Sequence, residues 1–155
     1  MLGFECGDGW YNILNALCSN IQHHIDWRNR QREVIIKYNR IREAGQSGNG
    51  ELFADLMAAE YGDKGVNADF IKERAEVHMT TPLQPVPELV PQVIVDQVKE
   101  KFGSLRFYYT GGDDYISGLT SMAESMSEVT CEECGKPGKS SGGGWISVRC
   151  DEHAQ

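Results

Sequence analysis

The residues with the clearest chemistry are three cysteines and a histidine in the C-terminal part of the chain. Two residues separate Cys131 from Cys134, two separate Cys150 from His153, and fifteen residues lie between the pairs. Each short pair can present two ligands to a tetrahedral ion, and this spacing is typical of ribbon-like zinc sites. The spacing therefore predicts a Zn²⁺ site formed by Cys131, Cys134, Cys150 and His153. Unrelated free cysteines and a disulfide are the alternatives.

A complete set of four protein ligands predicts a structural role for this ion. Catalytic zinc usually keeps one coordination position for water, whereas three cysteines and a histidine would fill the tetrahedron. Glycines and a proline follow the first pair and favour a tight turn. Trp145, Ile146 and Val148 predict a short strand that leads back to the second pair. We therefore expect residues 129–155 to form a C-terminal zinc-ribbon or knuckle-like module.

The composition narrows the class of protein. The 155 residues carry a net charge of -8, which argues against a general nucleic-acid coat, because such coats rely on clustered Lys and Arg. Five cysteines, with a metal-like spacing among them, favour a reducing compartment. Neither a signal peptide nor an apolar run of membrane-spanning length is visible, so we expect a cytoplasmic protein that does not enter a membrane.

Helical periodicity dominates the N-terminal half. Asp8 is the expected N-cap of a helix from Trp10 to Ile25, and a second helix is predicted over 27–44. Shorter helices are expected at 51–61 and, with Asn67 as its cap, up to about Val77. In the latter helix Phe70, Ile71 and Ala75 are expected to point inward. The first helix has an apolar face and the second a narrower apolar stripe: Trp10, Ile13, Leu14, Leu17, Ile21 and Ile25, then Val34, Ile35, Tyr38 and Ile41.

The C-terminal half mixes strands with one helix. Four prolines between 80 and 91 predict an extended crossing. Residues 93–110 predict a β-hairpin turning at 102–104, with an amphipathic helix over 92–102 as the alternative. Asp113 and Asp114 then begin a helix that ends near Ser127 and has an apolar stripe of Ile116, Leu119, Met122 and Met126. The predicted fold class is α+β: a domain at 1–128 with N-terminal helices, a hairpin and a further helix, and the zinc module 129–155 packed on it.

Two further groups of residues are candidates for function. The helix over 28–42 is the one clearly basic segment, so it is either a solvated face that pairs with acidic neighbours or a docking surface for a partner. The partner would be acidic or a nucleic acid, and the candidate partner-binding residues are Arg28, Arg30, Arg32, Lys37, Arg40 and Arg42. Cys6, Cys18, His23 and His24 suggest either helix packing or a second metal site of unfamiliar spacing. Asp113 and Asp114 suit the positive end of a helix or, alternatively, metal or acid–base chemistry.

Several blocks of the sequence resemble a largely uncharacterised family of small bacteriophage and prophage proteins. The blocks are Glu5 to Trp10, Gln97 to Tyr108, Gly111 to Asp114, and the closing Cys-x-x-Cys and Cys-x-x-His pairs. The resemblance extends over most of the chain, and the region 46–87 is the least distinctive. The resemblance implies a phage origin, expression in the bacterial cytosol and a metal-bound C-terminal module, and it brings no catalytic residues.

These observations lead to three hypotheses for function. The first is a non-enzymatic phage accessory or regulatory protein that binds and modulates a host or viral protein, for example in host defence or nucleic-acid machinery. The alternative is a nucleic-acid-binding regulator that uses the zinc module and the basic helix. A metal-dependent nuclease is the lesser alternative, since its candidate residues match no known motif. Those candidates are His23, His24, His78, Asp113 and Asp114.

Overall fold

The computed structural model describes residues 3–62, 64–141 and 145–154. Its helices and small sheets confirm the predicted α+β class. The elements are β1 (Phe4–Glu5), α1 (Tyr11–Gln46), α2 (Gly50–Tyr61), α3 (Ala68–Thr80), β2 (Ile94–Lys101), β3 (Ser104–Thr110), α4 (Asp114–Ser127), β4 (Lys139–Ser141) and β5 (Ser147–Arg149). None of the helices in the described residues combines the length and apolar composition that a membrane crossing requires.

The chain divides into two compact units. The first unit contains Met1–Arg28 and Val90–Gln155, and the second unit contains Asn29–Leu89. The middle helices α2 and α3 therefore belong to a unit of their own, together with the C-terminal part of α1. The sequence predicted a different division, into a domain at 1–128 and a metal-binding module at 129–155. That division stays a prediction.

Helix α1 is continuous where the sequence predicted two helices. It runs without interruption from Tyr11 to Gln46, because no glycine or proline occurs between residues 11 and 44. The predicted N-cap was also wrong: Asp8 begins a short 3₁₀ turn, Asp8–Trp10, which is preceded by Gly7 and has no side-chain cap. The predicted apolar face of residues 10–25 is confirmed as buried.

The core of the first unit is formed by the N-terminal part of α1, the sheet and α4. The sheet has the order β1-β2-β3, with β1 parallel to β2 and β2 antiparallel to β3. The hairpin is thus confirmed and the alternative helix over 92–102 was wrong. The main buried side chains are Trp10, Ile13, Leu14, Leu17, Ile21, Ile25, Val90, Val98, Leu105, Phe107, Ile116 and Ala123.

The hairpin turn places an aromatic residue in an unfavourable backbone conformation. Phe102 has a φ of 54° and Gly103 a φ of 78°, as a two-residue turn between right-twisted strands requires. The backbone N–H of Gly103 donates to Glu100 Oε1 at 2.6 Å. Glycine adopts this conformation freely, whereas a bulky residue such as Phe102 does so at a cost of about 1–2 kcal/mol.

Helix α4 begins as predicted, and the first half of its predicted apolar stripe is confirmed, because Ile116 is buried and Leu119 packs against the core. The Asp113 side chain accepts a hydrogen bond from the backbone N–H of Ile116 at 3.2 Å and caps the helix. Met122 and Met126, expected on the apolar stripe, are 57% and 48% exposed. Thr120 and Ser127 are buried with Ile116 and Ala123 instead, because both hydroxyl groups find hydrogen-bond partners within the first unit.

The second unit has a smaller core that includes a buried histidine. The predicted cap at Asn67 is confirmed, since its side chain accepts from the backbone N–H of Phe70 at 2.8 Å. Phe70, expected to point inward, is 39% exposed. The core residues are Ile41, Met57 and Tyr61, with Tyr38, Phe53, Leu56, Val66, Ile71 and Ala75 packed around them.

His78 lies among these residues and is 4% exposed. Its Nε2 is 3.1 Å from the Tyr61 hydroxyl group. Burial, together with the positive charges of Arg42 and Arg74, lowers the pKa of His78 below its usual value. Folding therefore disfavours protonation of this imidazole.

Candidate metal centre

The structure brings the four predicted metal ligands together in the first unit. Their ligand atoms all lie within 4.8 Å of one another. Cys134 Sγ is 3.6 Å from Cys150 Sγ. His153 Nδ1 is 3.7 Å from Cys131 Sγ and 3.3 Å from Cys150 Sγ. Cys131 and Cys150 are buried, whereas Cys134 is exposed.

These distances fit a tetrahedral zinc ion. With Zn–S bonds of about 2.3 Å and Zn–N bonds of about 2.0–2.1 Å, the S–S edge of a regular tetrahedron is about 3.8 Å and the S–N edge about 3.6 Å. The three measured separations lie within about 0.3 Å of these values. A disulfide would bring two sulfurs to about 2.05 Å, and the described cysteines are all free. The cluster can therefore hold a metal ion.

The first pair of ligands sits in a tight turn between α4 and β4. The backbone N–H of Gly135 donates to the carbonyl group of Cys131 at 2.8 Å, and the N–H of Cys131 donates to the carbonyl group of Lys136 at 2.8 Å. Gly135 has a φ of 75°, which glycine adopts without strain. Strands β4 and β5 then lead to the second pair, where the N–H of His153 donates to the carbonyl group of Cys150 at 3.0 Å.

Backbone groups from both ligand pairs act on the Cys131 thiol. Burial raises the pKa of this thiol, but hydrogen bonds from the backbones of Cys150, Cys134 and Glu133 outweigh burial and lower the pKa to about 6. A depressed thiol pKa favours the thiolate, which is the form that binds metal. The local fold thus prepares at least one ligand for a cation.

The N-terminal segment holds the first turn in place. The backbone N–H of Gly9 donates to the carbonyl group of Glu132 at 2.8 Å, and the N–H of Gly7 donates to Glu132 Oε1 at 3.0 Å. The indole N–H of the fully buried Trp10 donates to the carbonyl group of Thr130 at 2.9 Å. Arg149 completes the arrangement with an ion pair to Glu132 at 3.0 Å. We call residues 7–10 the N-terminal clamp.

Sequence reasoning missed this clamp, although the glycines were a signal. A Cβ atom at Gly9 would lie 2.6 Å from the carbonyl oxygen of Glu132 and 2.6 Å from the backbone nitrogen of Gly135. Such contacts are closer than side chains allow, so the position requires glycine. The pattern Gly-Asp-Gly-Trp therefore reflects close packing of one backbone against another.

The six cations predicted to bind a partner occupy different environments. Arg42 is buried, the Arg32 side chain donates to the Pro87 carbonyl group at 3.1 Å, and Lys37 pairs with Glu60 at 2.8 Å. Arg28 is half-buried in the first unit. Arg30 and Arg40 are exposed, and neither has a hydrogen bond or ion pair with the described residues. The prediction that this helix binds a partner stays open, with Arg30 and Arg40 the most available.

Two of the five candidate nuclease residues come together. His24 Nε2 is 2.8 Å from Asp113 Oδ2. Burial raises the pKa of Asp113, but hydrogen bonds from His24 and the Ile116 backbone outweigh burial and lower the pKa. His23 and Asp114 are exposed in the first unit, and His78 is buried in the second.

The suggested second metal site is not assembled. Within the described residues, Cys6, Cys18, His23 and His24 do not form a group of potential ligands. Cys6 and Cys18 instead line one cavity of the first unit with Phe4 and other residues. Burial raises the pKa of both thiols, so neither is prepared as a thiolate.

Comparisons with protein-family descriptions, curated proteins and solved structures found no match to this chain.

Proposed function

We propose that this protein is a phage accessory protein that carries a structural Zn²⁺ and acts in the bacterial cytoplasm by binding a host or viral protein. The observation that carries the structural role is the four-ligand cluster, in which three of the six ligand separations lie within about 0.3 Å of the edges of a zinc tetrahedron. A closed shell of this kind stabilises a fold and leaves no position for a reacting water. The phage assignment rests on the sequence resemblance.

Zinc is the ion that best suits the donor set. Three sulfurs and an imidazole are soft or borderline ligands. Magnesium and calcium are excluded because they are hard cations that bind oxygen ligands. The three measured separations fit a small tetrahedral ion, and the closed cysteine-histidine set is a common structural zinc arrangement. The bound ion would tie α4 to β5 and to the N-terminal clamp.

Exposed apolar side chains near the module support protein binding. Trp145 is 78% exposed, Phe102 is 71% exposed and Ile146 is 43% exposed. The hairpin turn contacts the segment before β5, because a Cβ atom at Gly103 would lie 3.0 Å from Ile146 Cγ2. We call Phe102, Trp145 and Ile146 the apolar tip. Large aromatic residues with this exposure are typical of protein-binding surfaces.

The strained backbone at Phe102 strengthens this interpretation. The turn itself would favour glycine or asparagine at this position, and the Phe102 side chain is not part of the core. The one ring contact recorded for Phe102 within the described residues is with the Lys101 ammonium group, 5.4 Å from the ring centroid, and an exposed contact of this kind is worth only about 0.5–1 kcal/mol. Binding of its ring by a partner would account for its presence.

Affinity capture tests the proposal directly. Tagged, zinc-loaded protein is expressed in phage-infected cells, cross-linked and recovered, and bound proteins are identified by mass spectrometry. The double variant Phe102→Asn with Trp145→Ser removes the aromatic part of the apolar tip, and asparagine tolerates the positive φ. We expect one protein to be enriched by the wild type and to fall at least tenfold with the double variant.

A matched control distinguishes specific binding at the apolar tip from non-specific hydrophobic binding. Ile94 is 64% exposed on β2, outside the apolar tip, so Ile94→Ser should recover the same partner. Recovery of nucleic acid without any enriched protein would contradict the proposal and favour the nucleic-acid-binding alternative. Loss of that nucleic acid on changing Arg30 and Arg40 to glutamate would then assign it to the basic helix.

The metal part of the proposal has its own test. Elemental analysis of protein prepared without chelators should give one zinc ion per chain. Protein that carries no metal, or that carries an ion with an exchangeable water ligand, would contradict a structural zinc site.

A further inference from the structure

A second site lies on the surface of the first unit, where the N-terminal part of α1 meets the start of α4. It is an open cavity of about 410 Å³, within the range of about 300–1,000 Å³ that is usual for small-molecule sites. Five lining residues lie on one face of α1 and one belongs to the first turn of α4. They are Asn20, His23, His24, Trp27, Arg28 and Tyr115.

The cavity contains two exposed aromatic rings. Tyr115 is 58% exposed and Trp27 is 52% exposed. The Tyr115 ring stacks on the His24 imidazole, with 4.3 Å between the ring centroids and 22° between the planes. Asp113 holds that imidazole through the 2.8 Å contact with its Nε2. His24 thus covers one face of the Tyr115 ring while more than half of the Tyr115 side chain stays exposed, which suits stacking of a further planar group.

A guanidinium group supplies a positive charge beside these rings. Arg28 makes no hydrogen bond or ion pair with the described residues, although its charge acts on Asp113. The Asp113 carboxylate is already engaged by His24 and by the Ile116 backbone. The donors of Arg28 are therefore available to a ligand anion, and a guanidinium group binds phosphate particularly well.

Two other carboxylates near this face limit its positive potential. Asp26 accepts a hydrogen bond from the Gln22 amide at 2.9 Å, and Asp114 is exposed on the first turn of α4. Among the carboxylates and guanidinium groups named here, Asp26, Asp113 and Asp114 outnumber the single cation Arg28, so this face is acidic overall and only the contact with Arg28 favours an anion. A ligand with one phosphate group and a large planar group fits this arrangement better than a polyanion held by charge alone.

We propose that this cavity binds a nucleotide, with the base stacked against Tyr115 and Trp27 and the phosphate held by Arg28. Free mononucleotides and unpaired nucleotides within a single strand share this chemistry. The inference goes beyond the proposed function, because neither the metal cluster nor the apolar tip takes part.

Fluorescence polarisation with the zinc-loaded full chain tests the site. The probes are fluorescently labelled AMP and a labelled ten-nucleotide thymidine strand, at low salt, with adenosine and ribose 5-phosphate as unlabelled competitors. We expect saturable binding of AMP, of the strand, or of both, and weaker competition by either partial ligand. Tighter binding of the strand by tenfold or more identifies single strands as the source, and otherwise the ligand is a free nucleotide.

Substitutions then locate the binding. Tyr115→Ala and Trp27→Ala should each weaken binding about 5- to 150-fold, as expected for loss of one stacking contact. Arg28→Gln should weaken the binding of AMP and leave the binding of adenosine, which has no phosphate, unchanged. Tyr115→Phe retains the ring and should bind like the wild type, which separates stacking from any effect on folding.

Two matched controls lie outside the cavity. Arg30→Gln removes an exposed arginine from the same helix, and Trp145→Ala removes an exposed tryptophan elsewhere. Neither should change binding by more than about twofold. Absence of saturable binding at millimolar nucleotide would overturn the proposal. So would ribose 5-phosphate competing as well as AMP, or Trp145→Ala weakening binding as much as Trp27→Ala.

Discussion

Gly9→Ala tests whether the N-terminal clamp stabilises the metal-binding turn. The added methyl group would lie 2.6 Å from the Glu132 carbonyl oxygen and 2.6 Å from the Gly135 nitrogen, and closer still to the Cys131 carbonyl oxygen. All three are backbone atoms, so no side-chain rotation can relieve the contact. Either the clamp or the turn must move.

The expected loss of stability follows from two contributions. Overpacking at a rigid site costs about 1–3 kcal/mol. Displacement of Gly9 also weakens its 2.8 Å hydrogen bond to Glu132, which is worth about 0.5–1.5 kcal/mol. We therefore expect the free energy of unfolding of the first unit to fall by about 2–4 kcal/mol, a large part of the roughly 5–15 kcal/mol that is typical of a folded protein.

Urea unfolding followed by tryptophan fluorescence measures this loss, because Trp10, Trp27 and Trp145 are the three tryptophans of the chain and all belong to the first unit. Transfer of zinc to a chromophoric chelator, at fixed pH, should also be faster in the variant. The two measurements together report on the fold and on the metal site.

Gly118→Ala is the control for the added methyl group. Gly118 lies within α4, and a Cβ atom there would meet nothing within 4 Å. Alanine should stabilise the helix by about 0.5–1 kcal/mol, because glycine loses more backbone entropy on folding. An unfolding midpoint and a zinc-transfer rate for Gly9→Ala equal to those of the wild type would refute the role assigned to the clamp.

Three further predictions concern the metal ligands and the second unit. Cys134→Ser should weaken zinc binding by more than the roughly 10- to 100-fold typical of losing an outer-shell contact, and competition with a chelator measures this. Folding lowers the pKa of His78, which binds a proton near pH 6.5 when unfolded. The second unit should therefore lose stability as the pH falls below about 6.5, and His78→Gln should remove that dependence; hydrogen exchange of α2 and α3, corrected for intrinsic rates, tests both. Asn67→Ala should cost about 1 kcal/mol through loss of the hydrogen bond to the Phe70 backbone, and thermal unfolding followed by circular dichroism is the measurement. An unchanged transition would show that the cap does not limit the stability of α3.

Local features of the sequence predicted most of the elements. The hairpin was predictable because β-branched and aromatic residues flank Phe102 and Gly103, and the caps Asn67 and Asp113 act through residues three positions away. The proximity of the four metal ligands also followed from spacing, since each pair lies within a single turn. In all these cases the decisive contacts are close in sequence.

The features that were missed depend on distant contacts. The parallel pairing of Phe4 with Val98 involves a strand of two residues that has no pattern of its own. The buried face of α4 includes Ser127, whose hydroxyl group accepts from the Leu105 backbone at 2.8 Å. The helical spacing of apolar residues predicted that Met122 and Met126 would be buried. It could not predict burial of a serine, because that depends on a hydrogen-bond partner elsewhere in the chain.

The N-terminal clamp has a consequence for synthesis on the ribosome. Gly7 and Trp10 bond to residues 125 and 120 positions later in the chain. At a synthesis rate of about 5–20 residues per second, these partners are made about 6–25 s after Gly7 and Trp10. Residues 29–89 are contiguous and can complete their own unit during that interval. The apolar face that includes Trp10 meanwhile lacks its final neighbours, so the nascent chain offers a chaperone a binding site that the finished protein conceals.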